Sequence, residues 1–198
     1  VNSNHPSSLG LHPAIYIYSS VGNFRVSSFN SIIAFTQYLT DKKKLNVFTK
    51  HRENFEKIIY SSEHIIQQIV RKARQANKAI QPLVDFYIHV LDSLEKNLSI
   101  QEILEKLPEN PDFSYVIQDT VFDSNPDFEI GKSFSKNVKS EVFLRDALLG
   151  APKCKICHGL LHQKSISIDH IKRKEDGGNG SIDNAQLTHP YCNTTYKN

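Results

Sequence analysis

The chain has 198 residues, 39% of them hydrophobic, and a formal net charge of +3; this suffices for one medium domain, or for a helical domain plus a small stapled module. No run approaches the ~18 apolar residues of a membrane span and nothing resembles a signal peptide, so a soluble, cytoplasmic protein with no membrane partner is expected. The charge is uneven: residues 131–198 hold 11 Lys/Arg against 6 Asp/Glu, and residues 1–130 hold 13 against 15, which suits a polyanion bound at the C-terminal end.

There is no methionine and the chain starts at Val1, which reads as a processed product or a piece of something longer. The first 24 residues are polar and turn-rich, with one strand-like run, AIYIYSS, at 14–20. From Phe29 the period becomes helical. Phe29, Ile32, Ile33 and Phe35 predict one helix, ending near the TDKKK turn at 40–44, and Phe48, Phe55, Ile58 and Ile59 predict a second. Ser61 or Ser62 can cap a third, with Ile65, Ile66, Ile69 and Val70 on one face. Pro82 starts a fourth at its favoured first-turn position, and this helix carries Leu83, Phe86, Tyr87, Val90, Leu91 and Leu94. Ser99-x-x-Glu102 is a capping box opening a fifth, which ends before Pro108. Residues 108–135, rich in Pro, Asp, Asn and Ser, read as a linker. A last helix from about Lys136 to Leu149 brings Val138, Val142, Phe143 and Leu148 to a face, and Gly150 and Pro152 stop it.

All three cysteines lie in the last 45 residues. An odd number without a secretory signal argues against a disulfide framework. Cys154-x-x-Cys157 and His189-x-x-Cys192 are two pairs of identical spacing, separated by 31 residues. A two-residue gap lets both members of a pair reach one ion from a tight turn, and zinc takes four N/S ligands in a tetrahedron. A module this small needs such a staple. A Cys154–Cys157 redox pair leaves Cys192 unexplained. CKICH also matches a haem attachment pattern, which goes with export, and no export signal is present. Structural Zn2+ is therefore expected, with His158 and His162 as exposed loop residues.

Between the half-sites, residues 165–169 alternate as a half-buried strand does and deliver Asp169 and His170 to its end. Gly177, Gly178 and Gly180 allow a wide loop, NAQLTH can return as a second strand, and PYCNTTYKN can begin a helix with Pro190 in its first turn. With its CxxC, Asp-His pair, GG, the Asn of IDNAQL and a final CN plus basic residue, the stretch 154–198 resembles the HNH nucleases of the ββα-metal superfamily. The resemblance implies that His170 is the general base, that Asp169 and Asn193 bind one catalytic Mg2+ or Mn2+, and that Asn184 braces the loop that aims the histidine. It also implies cleavage to 5′-phosphate and 3′-hydroxyl ends. Where the family usually has a second CxxC, His189 replaces the first cysteine. The chemistry fits: histidine can take a proton from water near neutrality, and a hard cation on oxygen ligands can stabilise phosphoryl charge. Lys172, Arg173 and Lys174 are candidate phosphate contacts. Neighbours on a regular strand point to opposite faces, so Asp169 and His170 can share a site only if the strand ends or bends there.

The run HPSSLGLHPAIYIYSSVGNFRVSSF resembles the region downstream of the ParB-like domain in GmrSD-type restriction proteins (the domain-of-unknown-function 262 group). That resemblance implies a bacterial defence protein cutting foreign or modified DNA, with an N-terminal catalytic domain absent from this chain as a further partner; His12 and Tyr16 would be scaffold. The sequence therefore predicts an α+β chain: a mostly helical scaffold at 1–130, a linker and connecting helix at 131–152, and a zinc-stapled ββα nuclease module at 153–198 acting on DNA. The alternatives are a zinc module that binds nucleic acid without cutting it, and a helical interaction adaptor with a degenerate nuclease module. Nothing in the sequence indicates an oligomeric state.

Overall fold

In the computed structural model, which describes residues 2–117 and 133–197, seven helices precede a hairpin. They are α1 (Pro13–Tyr16), α2 (Val26–Asp41), α3 (Leu45–Ser61), α4 (Glu63–Ala73), α5 (Ile80–Glu95), α6 (Ile100–Lys106) and α7 (Lys136–Leu149). Strands β1 (Ser167–His170) and β2 (Ala185–Thr188) then pair antiparallel, and a π-helical turn, Cys192–Tyr196, closes the described chain. The class is α+β, as the sequence predicts. Among the described residues no helix is long and apolar enough to cross a membrane.

Helix α5 is the centre of the helical part, with α2, α3, α4 and α6 packed on it. Its buried face carries Leu83, Phe86, Tyr87, Val90, Leu91 and Leu94, the residues whose helical spacing predicts the helix. Phe35 of α2 stacks on Phe55 of α3 at 5.6 Å and meets the edge of Tyr87 at 5.5 Å, while Phe48 meets Phe55 at 5.3 Å. These aromatics fix how α2, α3 and α5 lie against one another. Helix α6 begins with both bonds of the Ser99–Glu102 capping box. Helix α4 starts with Glu63 and ends with Arg71 and Lys72, which suits the helix dipole.

The structure departs from the sequence reading in several places; Ser62 precedes α4 without a side-chain capping bond, and His162 is half-buried rather than exposed. The run at 14–20 is not a strand: Pro13 supplies the first turn of α1, and only Tyr18 makes a bridge, to Phe24. Helix α5 starts at Ile80, two residues before Pro82. Residues 108–117 are not linker, because two short 3-10 turns fold them onto the core, where Phe113 and Val116 are buried beside Leu107 and Phe113 meets Phe86 at 6.0 Å. Residues 118–132 of that predicted linker lie outside the described residues. Helix α7 has the predicted bounds, capped by Ser135, but Val138, Val142 and Phe143 are exposed and only Leu148 packs against the core.

The N-terminal segment runs along the C-terminal module. Tyr191 donates its backbone N–H to the Ser8 carbonyl at 3.1 Å, Thr194 donates its hydroxyl to the Pro6 carbonyl at 2.8 Å, and Asn2 bonds to His162 at 2.9 Å. His12 meets His162 edge-on at 5.4 Å.

Two outcomes follow from this packing. Phe55→Ala should cost about 3–5 kcal/mol, measured as a lowered urea midpoint with an unchanged slope; a cost under about 1 kcal/mol would contradict the aromatic junction described. The second concerns acid. Burial, and then the neighbouring His162, lower the His12 pKa to about 4. The unfolded chain keeps the ordinary value near 6.5, so between pH 6.5 and 4 it binds a proton that the folded chain refuses, and stability falls as pH falls through that window. His12→Gln should flatten the decline in melting temperature from pH 7 to pH 4.5; an unchanged slope would refute the assignment.

Candidate functional site

The C-terminal module is built from two tight turns brought to one point. Cys154 and Cys157 flank a reversal in which Cys154 N–H bonds to the Gly159 carbonyl at 2.9 Å and His158 takes a left-handed φ of 58°. From the other side, β2 delivers His189, and the helical turn after Pro190 delivers Cys192. All four residues are buried, and their ligand atoms lie within 4.8 Å of one another. His189 Nδ1 faces the sulfurs, 3.3 Å from Cys157 and 3.9 Å from Cys192, while Nε2 donates to the Leu160 carbonyl at 3.1 Å. Such a bond at the far nitrogen fixes the tautomer and aim of a metal-binding imidazole.

Crowding sets the electrostatics. Hydrogen bonds from Cys157 and Cys192 hold the Cys154 thiol far below its ordinary value, and the same contacts push Cys157 and Cys192 up. Three sulfurs this close cannot all carry charge without a cation among them. Burial, then Arg52, lowers the His189 pKa and keeps the ring neutral, the form that binds metal. This buried S3N donor set, with every ligand atom within 4.8 Å of the others, is compatible with a structural zinc site.

A second site lies at the end of β1. Asp169, His170, Arg173, Lys174, Glu175, Asn193 and Lys197 line an open cleft of about 330 Å³. Strand β1 stops at His170, so Asp169 and His170 reach the same cleft despite being neighbours. Asp169 is buried; its Oδ2 accepts from Lys197 Nζ at 2.6 Å and from Gln186 Nε2 at 2.7 Å. Lys197 also donates to the His170 carbonyl at 2.7 Å. Asn193 is anchored through its amide nitrogen, which donates to Ser167 Oγ at 2.8 Å, leaving its oxygen as a donor atom for a ligand.

Behind the cleft, Asn184 ties both ends of the loop. Its Oδ1 accepts from Lys172 N–H at 2.7 Å, and its Nδ2 donates to the carbonyls of Asn179 at 2.7 Å and Lys172 at 3.1 Å. Gly178 is required where the loop crosses itself, since a Cβ there would sit 1.9 Å from the Lys172 carbonyl oxygen. Of the three basic loop residues, Arg173 and Lys174 line the cleft and Lys172 does not.

Residues 154–198 match the HNH endonuclease family model. No curated protein and no solved structure matches the chain. The HNH domain holds both sites described above, the Cys3His group and the cleft, and points to a nuclease or nucleic-acid-binding function. The helical residues before it lie outside the match.

Four participants escaped the sequence reading. Lys197 appears there only as the basic residue after CN, and Gln186 carries no signal. Arg52 and Glu56 did leave one: both fall on the α3 face that carries Phe48, Phe55 and Ile59, and two charges in an apolar stripe need a reason. Both are buried.

Cys154→Ser and Cys192→Ser should each reduce bound zinc from one per chain to background, measured by elemental analysis after gel filtration. Undiminished zinc in either variant would remove that residue from the ligand set.

Proposed function

We propose that this chain is a metal-dependent DNA endonuclease. The observation that supports it best is the convergence of Asp169, His170 and Asn193 on one basic-edged cleft within the HNH match. In this reading His170 takes the proton from a water whose oxygen attacks phosphorus; the bond to the 3′ oxygen breaks, leaving 5′-phosphate and 3′-hydroxyl ends. Asp169 and the Asn193 oxygen are hard donors that suit Mg2+ or Mn2+, and would hold it. Such an ion, when bound, supplies positive charge to the phosphoryl oxygens and the leaving group. Asn184 holds the loop that follows His170, and Arg173 and Lys174, with Lys172 outside the cleft, contact phosphates.

We further assign residues 1–130 to a scaffold, 131–152 to a connector and 153–198 to the nuclease module. The resemblance of the N-terminal run to GmrSD-type proteins supports a cytoplasmic role in restriction or anti-phage defence, beside a ParB-like partner domain.

One observation favours a second reading. Lys197 and Gln186 already satisfy Asp169 Oδ2, as in a cleft that binds nucleic acid without cutting it. Plasmid nicking with and without added Mg2+ separates the two. For a nuclease, His170→Ala should lower the rate by about 10²–10⁴ with zinc content unchanged. Asp169→Ala and Asn193→Ala should also lose cleavage, and recover part of it at high Mn2+. A parent chain that binds DNA tightly but leaves plasmid intact with Mg2+ or Mn2+ would establish the binder instead.

A further inference from the structure

Arg52 is the one Lys or Arg that is buried among the described residues, at 1% exposure. It stands on α3, in the helical part, and its guanidinium reaches the C-terminal module. Nε donates to Glu56 Oε1 at 2.8 Å, and Nη2 to the Gly10 carbonyl at 3.1 Å. Nη1 donates to the Leu9 carbonyl and also lies 3.3 Å from His189 Nδ1. Glu56 Oε1 accepts from the Tyr16 hydroxyl at 3.0 Å, and Oε2 accepts from Leu160 N–H at 2.7 Å. Leu160 in turn offers its carbonyl to His189 Nε2. The one lone pair of Nδ1 is needed for an ion, so Arg52 acts on the orientation of His189 through the relay Arg52–Glu56–Leu160–His189, two members from each part of the chain.

The surroundings are shaped to this guanidinium. A Cβ on Gly159 would fall 2.5 Å from Arg52 Nε, and one on Gly10 would fall 2.6 Å from His189 Cδ2. Packing alone does not call for such a group, because hydrophobic side chains of similar volume are commonly as stabilising as a buried ion pair. What they lack is charge and direction. One Zn2+ with three thiolates and a neutral imidazole carries one net negative charge, and Arg52 sets a desolvated positive charge beside it.

We propose that Arg52 is a positioning residue for the zinc centre, supplied by the helical part: it holds His189 in its ligating orientation and offsets the charge of the loaded centre. The proposal rests on the Cys3His group binding zinc, and not on cleavage.

The test is zinc affinity in the full chain, measured by competition with a chromogenic chelator, with melting followed by helical circular dichroism. The variants are Arg52→Lys, Arg52→Met and Arg52→Met/Glu56→Gln. Outer partners of metal ligands are worth about 10–100-fold in affinity. Arg52→Met should lose that much and melt earlier, since it strands Glu56. The double variant leaves no unpaired charge, so its melting should recover while its zinc affinity stays low. Arg52→Lys keeps the charge without the fork and should fall between. A folded double variant with the parent's zinc affinity would overturn the proposal, because the arginine would then be a packing element only. Should neither methionine variant fold, Arg52→Lys decides: parental zinc affinity in that variant overturns the proposal, and weakened affinity at a parental melting temperature supports it. A parent chain that binds no zinc would instead sink the reading of the four ligands.

Discussion

The C-terminal module has almost no apolar core of its own. The side chains it buries together are Cys154, Cys157, Leu161 and Cys192, with Ile156 and Ile166 leaning on them. Three of the four are ligand residues. A segment of this size cannot offset the entropy of ordering its backbone by burying so little carbon. Its order has to come from a metal bond or from outside, and the structure provides for both. The Cys3His group gathers the two ends of the module, and the helical part closes over it through residues 6–10, Tyr16 and α3.

That dependence explains the character of the junction. Two surfaces that met only through leucines and isoleucines could slide, because dispersion has little direction. Beside the apolar contacts of Leu160, Tyr191 and Tyr196, the contact here carries hydrogen bonds of fixed geometry, some from charged groups, each worth more than its neutral counterpart once water is gone. Arginine suits the task better than lysine because its fork is planar and can address three partners at once. The aromatic packing of Phe35, Phe48 and Phe55 holds α3 rigid one turn away, so the charged groups work from a fixed base.

Local features were the legible ones. The Ser99–Glu102 capping box, the bounds of α7 and the spacing of the four ligands are written within a few residues, and their physics is short-ranged. The cleft was legible in outline, since Asp169, His170 and Asn193 stand in a motif. Long-range packing was not. Residues 108–117 look like linker because two prolines and two acids crowd them, yet buried Phe113 and Val116, next to buried Leu107, suffice to pin them to the core. Residues 14–20 look like a strand because of their β-branched and aromatic content; Pro13 starts a helical turn instead. The apolar residues of α7 do not share one face, so their spacing could not say that only Leu148 packs against the core. Lys197 could not be placed on Asp169 from sequence, since the pairing depends on how the last turn is wound.

That winding has a consequence for where Lys197 stands. Lys197 N–H reaches back five residues to the Cys192 carbonyl at 3.1 Å, where an α-helix would reach four. The turn acts as a gauge block, with a sulfur ligand at one end, an ammonium group over Asp169 at the other, and one residue more between them than a regular helix would hold. Were the turn to relax to the common pitch with all of its residues in place, the lysine would swing by roughly 100° around the axis, away from the carboxylate it covers. The aim of Lys197 therefore depends on the wide turn keeping its extra residue, which the Thr194 hydroxyl helps to hold by bonding the Pro6 and Pro190 carbonyls.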